Sequence, residues 1–150
     1  MVKRTSHHEA DCLIARPLDA IGDWWSLLII RDAFDGVRRF GEFQRNLGVA
    51  KNILTVRLRR LVADGILEHT NSREGSAQEY VLTPKGKGLF PVIVGLRQWG
   101  ESHFYGQKER HSVLVDRDQN RPVRRLEVLS RDGKVLRAED TFVRKIGGQG

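Results

Sequence analysis

The chain has 150 residues, with 26 Lys and Arg against 19 Asp and Glu, a formal net charge of +7. Hydrophobic residues make up 39% and charged residues 30%, the balance of a folded domain rather than a disordered tail. No apolar run approaches the ~20 residues that span a bilayer, the polar N-terminus has no signal-peptide core, and the single cysteine excludes an internal disulfide framework. A cytoplasmic protein with no membrane role is expected. The positive charge asks for a polyanionic partner, double-stranded DNA above all.

Residues 1–11 are polar. His7, His8, Asp11 and Cys12 are close in sequence, but their spacing matches no tetrahedral ligand pattern, so neither a metal nor any other cofactor is expected. A first helix is predicted after Pro17, a residue suited to an N1 position. Gly22 and Asp23 break and cap, and residues 24–33 form an apolar helix ending at Asp35-Gly36. Trp25 reads as core, whereas Trp24, on the other side, suits a pocket or a subunit seam. Phe34, Phe90, Phe104 and Tyr105 add apolar surface for a small-molecule effector, although no motif specifies one.

Next comes a short helix with Phe40, Phe43 and Leu47 at i, i+3 and i+7, closed by Gly48. A turn over residues 49–52 leads to a second helix, 51–64, with Leu54, Leu58, Leu61 and Val62 on one face. The opposite face holds Asn52, Val56, Arg59 and Arg60, flanked by Thr55 and Arg57. Residues 38–60 contain seven basic side chains and one acid, Glu42. Charge runs are usually solvated faces. Here the apolar pattern sets the basic face on the second helix of a helix-turn-helix.

Residues 66–70 and 78–82 are predicted strands joined by a polar loop. Thr83-Pro84 caps another helix, whose stripe Leu89, Val92, Ile93, Leu96 and Trp99 has Pro91 as a candidate kink. Such a stripe serves either the monomer core or a second subunit. Beyond the polar join at 106–111, Leu126, Val128 and Ser130 face Val135 and Arg137 across Asp132-Gly133, a hairpin signal, and 112–116 is a further candidate strand. The expected class is therefore α+β, mainly α: a winged helix-turn-helix over residues 12–106 with a small C-terminal β appendage over 111–146, whose role is open.

The chemistry suits base reading. Arg pairs with guanine, Asn with adenine, and Thr or Val with a thymine methyl, so Asn52, Thr55, Val56, Arg57, Arg59 and Arg60 are the candidate contacts. Lys51 suits base or phosphate. Arg38 and Arg39, just before a helix, suit phosphate, and Arg73 at the hairpin tip suits a neighbouring groove. Two half-sites one turn apart, ~34 Å, would be read by two copies. Catalytic signatures are missing: there is no phosphate loop, no Gly-x-Ser-x-Gly and no paired-carboxylate motif. A winged helix that binds protein is the alternative, but it has no need of so basic a face.

Several motifs occur together and in order: Cys12; Ile21-Gly22-Asp-Trp-Trp25-Ser-Leu-Leu-Ile-Ile-Arg31; Arg39-Phe40-Gly-Glu-Phe43; Asn52-Ile-Leu54-Thr55-Val-Arg57-Leu58-Arg59-Arg-Leu61; Asp64-Gly65-Ile66; Glu79-Tyr80-Val-Leu82-Thr83-Pro-Lys85-Gly86; and Trp99. Across about two thirds of its length the chain thereby resembles the HxlR-type bacterial regulators. The resemblance implies a homodimeric winged-helix transcription factor, joined through its N- and C-terminal helices and acting as a repressor. In several such proteins the cysteine matching Cys12 senses oxidants or electrophiles. Sensing requires an exposed thiolate of lowered pKa, and the alternative is a buried, inert thiol. Asp23 departs from the Lys or Arg common in the family, and residues from His111 onward lie outside its pattern.

Overall fold

The computed structural model of the chain describes residue 6 and residues 12–72, 75 and 77–144. The chain forms two compact units, one ending at Ile93 and one starting at Val94. The first is built from α1 (Ala15–Ile21), α2 (Trp24–Phe34), α3 (Phe40–Leu47), α4 (Lys51–Ala63), β1 (Leu67–Asn71), β2 (Gln78–Leu82) and α5 (Pro84–Lys87). α6 (Phe90–Phe104) begins in the first unit and continues into the second.

Each helix of the first unit starts or stops for a local reason. α1 begins at Ala15, earlier than the predicted start after Pro17. Pro17 is tolerated there because the amides of a first turn have no intrahelical acceptor to lose. Asp23 caps α2 by accepting hydrogen bonds from the Trp25 and Ser26 amides, both at 2.9 Å. Gly48, at φ 61°, ends α3 in the left-handed conformation that a side chain resists. Because α4 is already helical at Lys51, the turn between α3 and α4 comprises only residues 48–50. Val49 is buried in that turn and anchors it.

The core lies where α2, α3 and α4 meet. Ile29, Ile30, Phe43, Leu54, Leu58 and Leu61 are almost completely buried, at about 1.5–3 kcal/mol for each large side chain. Trp25 packs against this cluster, whereas Trp24 is 86% exposed. β1 and β2 pair antiparallel from Leu67↔Leu82 to Asn71↔Gln78 and form the wing. Beneath the wing, Thr83 accepts a hydrogen bond from the Gly86 amide at 3.1 Å and donates to the backbone carbonyls of Gly65 and Ile66.

The long helix expected after Thr83 is interrupted at Gly88 and Leu89, which separate α5 from α6. Pro91 explains the break, since it has no amide for the Lys87 carbonyl and its ring collides there. The apolar stripe divides as well. Leu89 and Ile93 pack on the core of the first unit, while Val92, Leu96 and Trp99 stay exposed.

The second unit contains the rest of α6, a hairpin of β3 (Val128–Leu129) and β4 (Val135–Leu136), and a 3-10 turn, Ala138–Asp140. The candidate strand at 112–116 amounts to a single bridge, Val115 to Pro122. The hairpin register is Val128↔Leu136 and Leu129↔Val135, one residue away from the pairing of Ser130 with Val135 and of Val128 with Arg137 that a two-residue Asp132-Gly133 turn sets. The loop is the cause: the Gly133 amide bonds the Ser130 carbonyl and Ser130 bonds Lys134, which leaves three loop residues with Gly133 at φ 88°. Such a loop is a type I turn closed by a bulge rather than a two-residue turn. Side chains stitch the segment to α6. Gln98 holds the Arg124 carbonyl and the Leu126 amide, and Arg97 holds the Ser112 carbonyl and hydroxyl.

Candidate nucleic-acid interface

α4 buries Leu54, Leu58 and Leu61 and thereby turns a polar face outward. On that face Lys51, Asn52, Val56 and Arg59 are exposed, and Thr55 is half-buried beside them. The Thr55 hydroxyl donates to the Lys51 carbonyl of its own helix at 2.8 Å, leaving its oxygen free only to accept. Val56 is 59% exposed, an apolar side chain presented to solvent amid polar neighbours. Lys51 and Arg59 have no carboxylate partner among the described residues. Their charge is unspent, and the spacing of Asn52, Val56 and Arg59 sets one side chain per helical turn along a single ridge.

Four other predicted cations, Arg38, Arg39, Arg57 and Arg60, are engaged within the protein. Arg57, only partly exposed, lies 3.5 Å from Asp23, so the second helix of the motif is tied to the N-cap of α2. Burial works to raise the Asp23 pKa. Hydrogen bonds from the Ser26 side chain and amide, the Arg57 charge and the Trp25 amide outweigh it and hold the carboxyl below its usual range. Arg60 pairs with Asp64 at 2.9 Å and with Asp19 of α1 at 3.6 Å. Arg57 and Arg60 therefore orient α4 as much as they charge its surface.

Arg38 and Arg39 precede α3 at the edge of the wing. The Tyr80 amide bonds the Arg38 carbonyl at 2.8 Å, and Glu79 of β2 lies 3.6 Å from Arg38 and 3.9 Å from Arg39. The amides of Arg38 and Arg39 donate to the Glu42 carboxylate, at 3.4 and 3.2 Å. Those two hydrogen bonds, Arg39 first, hold Glu42 below the usual carboxylate range. The Glu42 carboxylate thus occupies the two amides that immediately precede α3. The two guanidiniums are what remains for an anion. Glu79 belongs to the motif of the sequence, but its pairing with Arg38 and Arg39 is not legible there, because only the fold brings β2 beside the start of α3. Arg73 lies outside the described residues.

Cys12 is exposed. The Ala15 amide and then the Ile14 amide bond its sulfur and hold the thiol below its ordinary value. Phe34 and Phe90, with ring centroids 5.3 Å apart, line a groove of about 820 Å³ together with Val37, Tyr80, Arg38 and Lys87. Trp24 does not line it. No group of His, Cys, Asp and Glu able to hold a metal occurs among the described residues, and no described helix is long and apolar enough to cross a membrane.

The geometry of helix, short turn, exposed basic helix and two-stranded wing can be set beside known proteins. The profile of the HxlR-like helix-turn-helix family matches residues 20–108. The HTH-type transcriptional regulator Rv3095 of Mycobacterium tuberculosis is 43% identical over 104 residues, 69% of this chain and 66% of its own length. Among solved structures, PA1607, a candidate transcription factor, superposes with a TM-score of 0.91 at 56% identity, covering 95% of this chain and all of its own. The redox regulator HypR in its reduced form has a TM-score of 0.57 at 34% identity, covering 62% of this chain and 94% of its own.

Proposed function

This chain belongs to the HxlR-like helix-turn-helix family of DNA-binding transcriptional regulators, and we propose that it works in the cytoplasm as a homodimeric repressor on a pseudo-palindromic operator. The observation that carries this reading is the exposed ridge of α4, where Asn52, Val56 and Arg59 offer an amide, a methyl surface and a guanidinium with no carboxylate partner among the described residues. A helix of ordinary diameter enters the major groove, where each base pair has its own pattern of donors, acceptors and methyls. Arg59 would read guanine, Asn52 adenine, and Val56 with Thr55 a thymine methyl. Lys51, Arg38, Arg39, Arg57, Arg60 and Arg73 would add phosphate contacts that position the helix without reading sequence.

One such ridge reads only a few base pairs. Two copies would read successive major grooves ~34 Å apart, with the α6 residues Val92, Leu96 and Trp99 and the N-terminal helix at the seam. Residues 12–106 would supply DNA binding and the α6 side of the dimer contact. The signal is read as thiol-based. Cys12 is exposed and held toward thiolate, and with a single cysteine per chain its oxidised partner would be another chain or a small thiol. A small-molecule effector in the Phe34–Phe90 groove is the other input consistent with the fold.

The test is fluorescence anisotropy of the purified protein on the DNA upstream of its own gene and on scrambled DNA, across a salt series. Tight, selective binding with a steep salt slope is expected. Equal weak binding to both DNAs would remove this upstream DNA as the operator, and absence of binding at low salt would favour a winged helix that binds protein.

A further inference from the structure

The second unit lacks a core of its own. Val94 is its one buried hydrophobic residue among the described residues. The segment after α6 covers only part of that helix. Residues 124–126 bond Gln98 and Ser102, and Leu126 lies 3.7 Å from the position a Cβ would take on Gly95. Residues 111 and 112 bond Glu101 and Arg97. At 100° per residue these contacts occupy one side of α6, and Leu96, Trp99 and His103 lie together on the other. Trp99 packs on His103 and Phe104 at 5.6 and 5.2 Å between ring centroids, yet Leu96 and Trp99 remain 49% and 54% exposed.

The hairpin is equally uncovered. Successive strand residues point to opposite faces, and Val128 and Leu129 are 65% and 54% exposed, so neither face is packed. β3 and β4 form a sheet by themselves, so each also has an unpaired edge. A lone two-stranded hairpin is marginal in water. Phe142 and Val143, just beyond it, are almost fully exposed. With Phe104 and Val135, which are 67% and 51% exposed, the exposed fractions of these eight apolar residues correspond to roughly 1,000 Å² of surface. A stable interface of standard size takes ~800 Å² from each partner.

We propose that residues 111–144 form a dimerisation arm, in which the β3–β4 hairpin with Phe142 and Val143 packs on the Leu96, Trp99 and Phe104 stripe of a second copy, and reciprocally. The partner is another copy because each chain presents both halves of the contact, a stripe and an arm, and the area suffices for a two-fold dimer. Charge disfavours nucleic acid here. Residues 94–144 carry eleven basic and eight acidic side chains, intermixed, unlike the one-signed run at 38–60. The arm rests on the homodimer reading above and extends it to a segment outside the family profile.

Light scattering after gel filtration tests it on the full chain and on the double variant V128K/V135K, whose altered residues are both exposed. The expected result is a wild-type mass twice the 17.1 kDa of one chain and a monomeric double variant with an unchanged helical circular-dichroism spectrum. A double variant that stays dimeric overturns the arm and leaves the homodimer standing, whereas a monomeric wild type overturns both. Should the variant misfold, hydrogen exchange of the wild-type hairpin amides decides. Protection that rises with protein concentration supports the arm, and protection independent of concentration overturns it.

Discussion

Replacing Arg59 and Arg60 separately by alanine probes two adjacent guanidiniums with opposite surroundings. Arg59 is exposed and has no carboxylate partner among the described residues, so the folded protein loses little without it, within about 0.5 kcal/mol for a surface site of this kind. If it reads a guanine, DNA discrimination falls by about 1–3 kcal/mol, roughly 5- to 150-fold in affinity for the operator. Arg60 is half exposed and holds Asp64 at 2.9 Å and Asp19 at 3.6 Å. Exposed pairs contribute up to about 1 kcal/mol each, so Arg60→Ala should cost about 1 kcal/mol and lower Tm by roughly 4–8 °C, with selectivity kept. Anisotropy on operator and scrambled DNA, paired with thermal unfolding, measures both quantities on one preparation. The reasoning fails if Arg59→Ala lowers Tm and leaves selectivity intact. It fails equally if the two variants lose operator affinity to the same degree on both DNAs, since both would then be phosphate contacts, each flattening the salt slope by about 0.9.

Three further outcomes are expected. Gly86→Ala should destabilise the wing by a few kcal/mol, because a Cβ there would lie 2.2 Å from the Ile66 carbonyl oxygen, a backbone atom that cannot step aside; an unchanged urea midpoint would refute the close approach. Asp23→Ala removes the N-cap of α2 and the partner of Arg57, and should cost about 1 kcal/mol at neutral pH. Because the folded-state pKa of Asp23 is depressed, its stabilisation is complete above the unfolded carboxylate value and fades as pH falls through the folded one, so the wild-type and variant stabilities should converge in acid; a gap that persists at pH 2 contradicts the cause given. Cys12→Ser should leave operator affinity unchanged under reducing conditions and abolish any response to diamide or quinone, and a response retained in the variant would locate the sensor elsewhere.

The helices of the first unit were legible because their signals are local. Asp23, Gly48 and Thr83 act on amides and dihedrals within a turn of themselves, and the spacing of Leu54, Leu58 and Leu61 needs no information from elsewhere in the chain. The break before α6 was misread as a kink because Pro91 acts on a carbonyl four residues earlier, which a stripe of apolar residues conceals. The hairpin was found but its register missed, since one loop residue more or less shifts every pair.

The candidate site divides along the same line. Which side chains could face DNA follows from α4 alone: a helix with one buried leucine ridge must turn Asn52, Val56 and Arg59 outward. Which of the basic residues keep their charge for a partner could not be read from the chain. Asp19, Asp23 and Glu79 reach Arg60, Arg57, Arg38 and Arg39 from other elements, and ion pairing depends on separations of a few ångströms between residues far apart in sequence. Sequence settled the family, the elements and the basic helix, because these rest on periodicity and local capping. Tertiary structure alone decided which arginines are free, because only packing brings a distant carboxylate within reach of a guanidinium.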